Sequence, residues 1–265
     1  MKVKFKFALA LVALVVSAAT MAQTAAPAPD YTLSYNVGAV SDYRFRGMAQ
    51  TAGGPAVQGG VDFAHKSGLY LGAWGSNVNW IKDFNLATKG TFEIDLYGGY
   101  KGEIAAGVTY DLGAITYQYP GNNSGAAKTP GAGSYSNAST TEFYGALTYS
   151  VVTLKYSQSL GDFLGNLNSR GSRYIDLSAN FDIGNGFTLT PHMGRQTVPN
   201  QSIGARIGNA ADCNDYSLTL AKDFGNGFSG SVAAISTNAY KSFYTDSKAR
   251  FLGKDALVVG VKYSF

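Results

Sequence analysis

The chain is poor in cysteine, histidine and charge. Its 265 residues include one cysteine, Cys213, and two histidines, His65 and His192. One cysteine excludes an internal disulfide. Two histidines and one thiol are too few for a Cys/His zinc site. A Ser-His-acid arrangement needs a histidine beside its nucleophile, and neither histidine has a serine or an acid next to it in sequence. Charged residues make up 14%, against roughly 25% in an ordinary soluble domain. After residue 22 there is no run of 18 apolar residues, which excludes a helical membrane span. "GNNSGAAKT" at 121–129 lacks the spacing of a phosphate loop.

The N-terminus reads as an export signal. Lys2, Lys4 and Lys6 precede an apolar run from Phe7 to Ala19, and small residues follow it through Thr20-Met21-Ala22. A basic segment, a short apolar segment and a small-residue end make a cleavable secretory leader over 1–22. The run is shorter than the roughly 20 residues of an anchoring helix. No cysteine follows it, so it is not a lipoprotein leader. The leader holds three of the 21 Lys and Arg and none of the 17 Asp and Glu. The remainder, 23–265, is therefore nearly neutral, with 18 bases against 17 acids, and its charge gives no reason to expect a nucleic-acid partner.

What is present is glycine (33), tyrosine (18), phenylalanine (15) and strict alternation. In "GTFEIDLYGG", Phe92, Ile94 and Leu96 alternate with Glu93, Asp95 and Tyr97. In "RYIDLSANFDIG", Ile175, Leu177, Ala179, Phe181 and Ile183 alternate with Tyr174, Asp176, Ser178, Asn180 and Asp182. This period of two defines strands with one apolar and one polar face. Twelve such segments are expected, near 31–45, 55–64, 68–79, 90–101, 104–119, 140–149, 151–160, 172–183, 186–195, 213–223, 227–237 and 255–265. Long connections such as "NWIKDFNLATKG" alternate with short ones such as "HKSG", "YKGE" and "IGNG". An outer-membrane barrel has short periplasmic turns and long external loops. A soluble β-sandwich has no reason to alternate in this way. The fold class expected is therefore all-β: one transmembrane antiparallel barrel over 23–265, with about 12 strands.

Several blocks resemble the TorF family of porin-type proteins: "SDYRFRGMAQT" at 41–51, "GLYLGAWGSNV" at 68–78, "EIDLYGGYKGE" at 93–103, "YDLGAITYQYPG" at 110–121, "TEFYGALTYSVVTLKYSQS" at 141–159 and "YIDLSANFDIGNGFTLTPHMG" at 174–194. The resemblance implies a proteobacterial outer-membrane barrel. It brings no catalytic residues and no cofactor.

With polar faces turned inward, the lumen would collect Asp62, Glu93, Asp95, Glu142, Asp176 and Asp215, together with Lys101, Lys155 and Lys262. This is a mixed lining with acids slightly ahead, and it points to a weak cation preference. Arg44 and Arg46, two apart, would share one face near the external end of the first strand. They would form either a basic constriction or a structural tie from the first loop to acids on neighbouring strands, and the tie is the better supported because a narrow barrel must satisfy its internal charges. Tyr31, Tyr35, Tyr100, Tyr149, Tyr156, Phe187, Phe228 and Tyr263 suit interfacial belts. Trp74, Trp80, Tyr117 and Tyr119 could stack on sugars.

The last residues, Leu257, Val259, Val261, Tyr263 and Phe265, form one apolar face of a strand that must pair with the first. A terminal Phe on such a strand resembles the signal read by the barrel-assembly machinery. The expected function is passive diffusion of small hydrophilic solutes or ions through an outer-membrane channel, with no catalysis, metal or cofactor. The expected partners are the lipid bilayer and lipopolysaccharide, periplasmic chaperones during assembly, and the solutes themselves. A closed structural or adhesive barrel and a substrate-specific sugar or acid channel are the alternatives.

Overall fold

The computed structural model describes residues 29–126, 128 and 134–265; the expected leader lies outside them. Twelve barrel strands follow in order: β1 (Tyr31–Val40), β2 (Ala56–His65), β3 (Leu69–Asn77), β4 (Phe92–Ala105), β5 (Val108–Gln118), β6 (Thr140–Tyr149), β7 (Val152–Ser159), β8 (Arg173–Ala179, resumed after Asn180 at Phe181–Gly184), β9 (Phe187–Thr197), β10 (Cys213–Gly225), β11 (Phe228–Thr237) and β12 (Ala256–Ser264). Each pairs antiparallel with its sequence neighbour, and β12 pairs with β1 to close the ring. A closed sheet satisfies its backbone groups without an edge, which is what crossing a bilayer requires.

The outer surface is apolar where a soluble protein would be polar. Leu33, Val57, Leu112, Phe143, Leu154, Val261 and Phe224 are each half exposed or more. Apolar area of that extent is a membrane-facing surface. The seam carries the terminal residue: the Phe265 amide donates to the Tyr35 carbonyl at 3.0 Å, and its carbonyl accepts from the Tyr35 amide at 2.8 Å. The Phe265 ring stacks on Tyr35 at 5.6 Å and on Tyr263 at 5.4 Å.

The inner surface explains much of the glycine and tyrosine. Tyr70 on β3 sits opposite Gly99, Gly99 opposite Gly113, and Gly113 opposite Tyr144 on β6. The two rings lie flat over the two glycines and meet hydroxyl to hydroxyl. A Cβ on Gly99 would stand 2.5 Å from the Tyr70 hydroxyl, and one on Gly113 2.5 Å from that of Tyr144.

Two expected boundaries need correction. The first strand ends at Val40 rather than near 45, and Arg44 and Arg46 belong to a small hairpin, Arg44–Phe45 against Met48–Ala49. The pattern Tyr-Arg-Phe-Arg continues the alternation, but Arg46 (φ 47°) and Gly47 (φ 78°) turn the chain back on itself. The expected turn at "YKGE" is strand: alternation runs on through Tyr100, Gly102 and Ile104, and the reversal comes at Ala106-Gly107, where Gly107 takes φ 78°.

Six connections of 13 to 21 residues leave one rim of the barrel, and much shorter turns leave the other. The long connections do not stand free. Met48, Phe163, Val198, Ala211, Cys213, Ala239 and Tyr244 form one buried apolar cluster. Val78, Trp80, Ile81, Ala87, Tyr117, Tyr119 and Ala138 form a second, with Phe45 and Leu164 packed against both. Every long connection contributes to this lid. The second contains a short helix, Trp80–Asp83, and the fourth a 3-10 turn, Phe163–Gly165.

Candidate functional site

The small hairpin in the first long connection folds inward and occupies the centre of the barrel beneath the lid. Backbone bonds join it to its neighbours: Asn79 donates to the Gln50 carbonyl at 2.8 Å, and Ala49 to that of Leu252 at 2.9 Å. Arg44 bonds Asp42 at 2.6 Å and donates to the carbonyls of Gly47, Leu252 and Lys254 at 3.1, 3.2 and 2.7 Å. Arg46 points the other way. Its Nη2 meets Glu142 Oε2 at 2.6 Å, and its guanidinium lies 4.8, 5.0 and 4.4 Å from the rings of Phe45, Phe163 and Tyr174. Glu142 is fully buried and also accepts from the Tyr117 hydroxyl at 3.1 Å. Burial alone would lower the Arg46 pKa, but the Glu142 carboxylate raises it, so the guanidinium stays charged.

Glu93 and Asp95 lie under the same hairpin. Glu93, 2% exposed, accepts from the Tyr43 hydroxyl at 2.8 Å, and Asp95 is 7% exposed. The three acids Glu93, Asp95 and Glu142 therefore face inward but are covered by protein. The hairpin, its cation and these acids form a plug at the long-loop half of the lumen.

Towards the short turns lie two open chambers. The first, about 310 Å³, has the hairpin as its roof and Lys155, Tyr174, Asp176, His192 and Asp215 in its walls. His192 Nε2 is 2.6 Å from Asp176 Oδ2 and 3.2 Å from the Tyr174 hydroxyl, and its Nδ1 is 3.7 Å from Asp215 Oδ1. Tyr174 donates to Asp215 at 3.0 Å. The Lys155 ammonium sits 4.0 Å from the Tyr144 ring centroid. The second chamber, about 290 Å³, is lined by Asn36, Gln58, Trp74, Ser229, Ser231 and Lys262 among others.

The remaining residues expected in the lumen stand apart. Asp62 accepts a bond from the Tyr97 hydroxyl. Lys101 is mostly exposed near the turn rim, 3.9 Å from Asp111 and 4.5 Å from the Tyr70 ring centroid. Trp80 is buried in the lid, where it cannot meet a sugar.

A lone strand histidine such as His192 is expected to hydrogen-bond within the lumen rather than act as a base, and it does so here; what adjacency in sequence does not give is its partners Tyr174, Asp176 and Asp215. The alternation puts Asp176, His192 and Asp215 on inward faces, but the register does not follow from counting. A one-residue bulge at Asp182–Gly184 sets Ser178 opposite His192, with Asp176 two residues along, and across the next strand pair, joined by a long connection, Ser217 lies opposite His192, with Asp215 two residues along. The Ser217 hydroxyl makes no hydrogen bond to the imidazole among the described residues. The arrangement is a charge-balanced polar network rather than a nucleophile with its base.

A family model described as a bacterial protein of unknown function, Gcw_chp, matches residues 24–265. The chain belongs to the Gcw_chp family. No curated protein matches it in sequence. Among solved structures it is similar to the KdgM porin (TM-score 0.53, 9% identity, 88% of this chain and 99% of that one) and to the NanC porin (0.53, 10%, 88% and 99%). It is also similar to the COG4313 outer membrane channel from Pseudomonas putida F1 (0.53, 12%, 90% and 96%). At these identities the likeness is one of fold: a barrel of the outer-membrane channel type.

Proposed function

We propose that the protein is an outer-membrane channel for small hydrophilic solutes or ions, exported by its leader and gated by its first long connection. The observation that carries this reading is the closed barrel with an apolar exterior and a lumen that is polar below the inserted hairpin. The TorF-like sequence blocks fit the same reading, with the long connections external and the short turns periplasmic. One solved KdgM structure is a complex with disordered oligogalacturonate. Here Asp176 and Asp215 stand beside Lys155 and His192, a poor match to a polyanion, so a general solute is favoured over an acidic sugar. The second reading is a permanently closed barrel working through its loops, and the six-connection lid is the feature that favours it.

Planar-bilayer recording separates the two. The wild-type protein is expected to give small discrete steps, and a variant with residues 43–50 replaced by a Gly-Ser linker steps several-fold larger. Silence from both would rule out the channel. Neutralising Glu93 and Asp95 is expected to move the reversal potential towards anions mainly in the linker variant, where nothing covers them.

The same reading gives the last strand a role in assembly, with Leu257, Val259, Val261, Tyr263 and Phe265 as the recognised face. Deleting Phe265 removes the last backbone pair of the seam and its stack on Tyr35. The expected result is a marked loss of folded, heat-modifiable barrel in cells; wild-type yield would refute the role.

A further inference from the structure

The outer wall is chemically uneven at the long-loop rim. On β8 and β9, Arg173 and Arg195 project from the lipid-facing side, in line with Ile175, Leu177 and Met193. They are diagonal neighbours, since Arg173 faces Thr197 while Ile175 faces Arg195. Gln158 lies opposite Arg173 and Asn214 opposite Arg195, which extends the polar band sideways. Across the barrel, the lipid-facing side of β1 to β4 carries no Lys or Arg, and Val57 there is 65% exposed.

These cations are poorly matched within the chain. Arg173 has no side-chain hydrogen bond or ionic partner among the described residues. Arg195 meets Asp212 at 3.3 Å and donates to the Asn214 side-chain oxygen at 3.2 Å, yet remains half exposed. Above it, the connection at 198–212 brings Arg206, whose guanidinium lies 4.3 Å from the Tyr240 ring centroid. Between them runs a groove of about 610 Å³, lined by Arg195, Arg206, Ile207, Asn209 and Asn238, with Asp212 on one wall. Ile207 is 76% exposed beside these arginines.

Charge on a lipid-facing wall is costly at mid-depth and tolerated at the interface, where it can meet a headgroup. Guanidinium groups match phosphate oxygens two at a time. An exposed isoleucine next to them gains nothing from a free anion but is stabilised among acyl chains. We propose that Arg173, Arg195 and Arg206 bind the phosphate groups of an anionic glycolipid in the surrounding leaflet, with Ile207 seated among its acyl chains. This rests on the outer-membrane reading above.

The test uses the folded full-length protein in neutral detergent, incubated with bis-phosphorylated lipid A or with its dephosphorylated form, and native mass spectrometry of the retained lipid. Retention of the phosphorylated form is expected to be about tenfold greater. That preference should vanish in the R173Q/R195Q/R206Q variant and survive in K66Q, at the opposite rim. Ile207→Asn should weaken retention of lipid A. Equal retention of the two lipids, or a triple variant that binds like wild type, would overturn the proposal. Complete displacement by inorganic phosphate would also overturn it, because the site would then hold a free anion and not a lipid. A heat-modifiable triple variant that has lost the preference but gives normal bilayer steps supports the lipid site and leaves the channel reading intact. Retained preference in a protein that never conducts would fell the channel alone.

Discussion

The two halves of the lumen are built by different rules. In the half nearest the long connections, apolar side chains from six separate segments pack together around a buried Arg46–Glu142 pair, as in the interior of a soluble domain. In the half nearest the turns, polar side chains line open chambers and leave space unfilled. The first half depends on tertiary packing and can be lost by degrees. The second half is held by the backbone ladder, which persists as long as the barrel does. On the proposed channel reading, one chain thus carries a conditional closure on a permanent wall.

The largest expected effect on that contrast comes from excising the hairpin at 43–50, which should open the lumen and leave the heat-modifiable mobility of the barrel unchanged. Arg46→Ala comes next. It strands Glu142 without its cation, and breaking a buried pair costs about 3–5 kcal/mol. The plug should loosen, seen as larger and noisier current steps and as faster proteolysis within the long connections.

A smaller effect is expected from acid. Asp83 in the lid bonds Lys248 at 2.8 Å and Arg250 at 2.5 Å. Burial would raise its pKa, but the bonds from these two cations outweigh that and hold the carboxyl below its ordinary 3.8. A depressed carboxyl stabilises the lid above pH 3.8 and stops doing so as the pH falls through its lowered value. Lid proteolysis should therefore quicken only below pH 3.8, and Asp83→Asn should abolish that step. A lid equally resistant at all pH values would remove Asp83 from the account.

Sequence reasoning read the wall well and the lid poorly, for physical reasons. Wall positions repeat every two residues, so Phe92, Ile94 and Leu96 declare their face without knowledge of any partner. The lid obeys no period. Trp80, Phe84, Phe163 and Tyr244 meet because their segments converge in space, and each looks alone like a stray apolar residue in a loop. The hairpin misled because Tyr43 and Phe45 keep the alternation of β1 while the backbone turns at Arg46 and Gly47. The His192 network lies between these cases: its members are wall residues of three adjacent strands whose inward face the alternation declares, while their register depends on a bulge at Asp182–Gly184 and on a strand pair joined by a long connection. A hint of the lid was present too, since connections meant only to dangle in water have little use for so many aromatic rings.

On the proposed channel reading, the paired glycines beneath Tyr70 and Tyr144 bear on what can pass through the lumen. A solute passing that level would slide along two panels of aromatic ring, and the clearance it finds is set by Gly99 and Gly113 behind them. Gly99→Ala would lift Tyr70 off the wall like a door pushed from its hinge side. In the hairpin-excised barrel, this one methyl group should lower conductance, although no solute ever touches it.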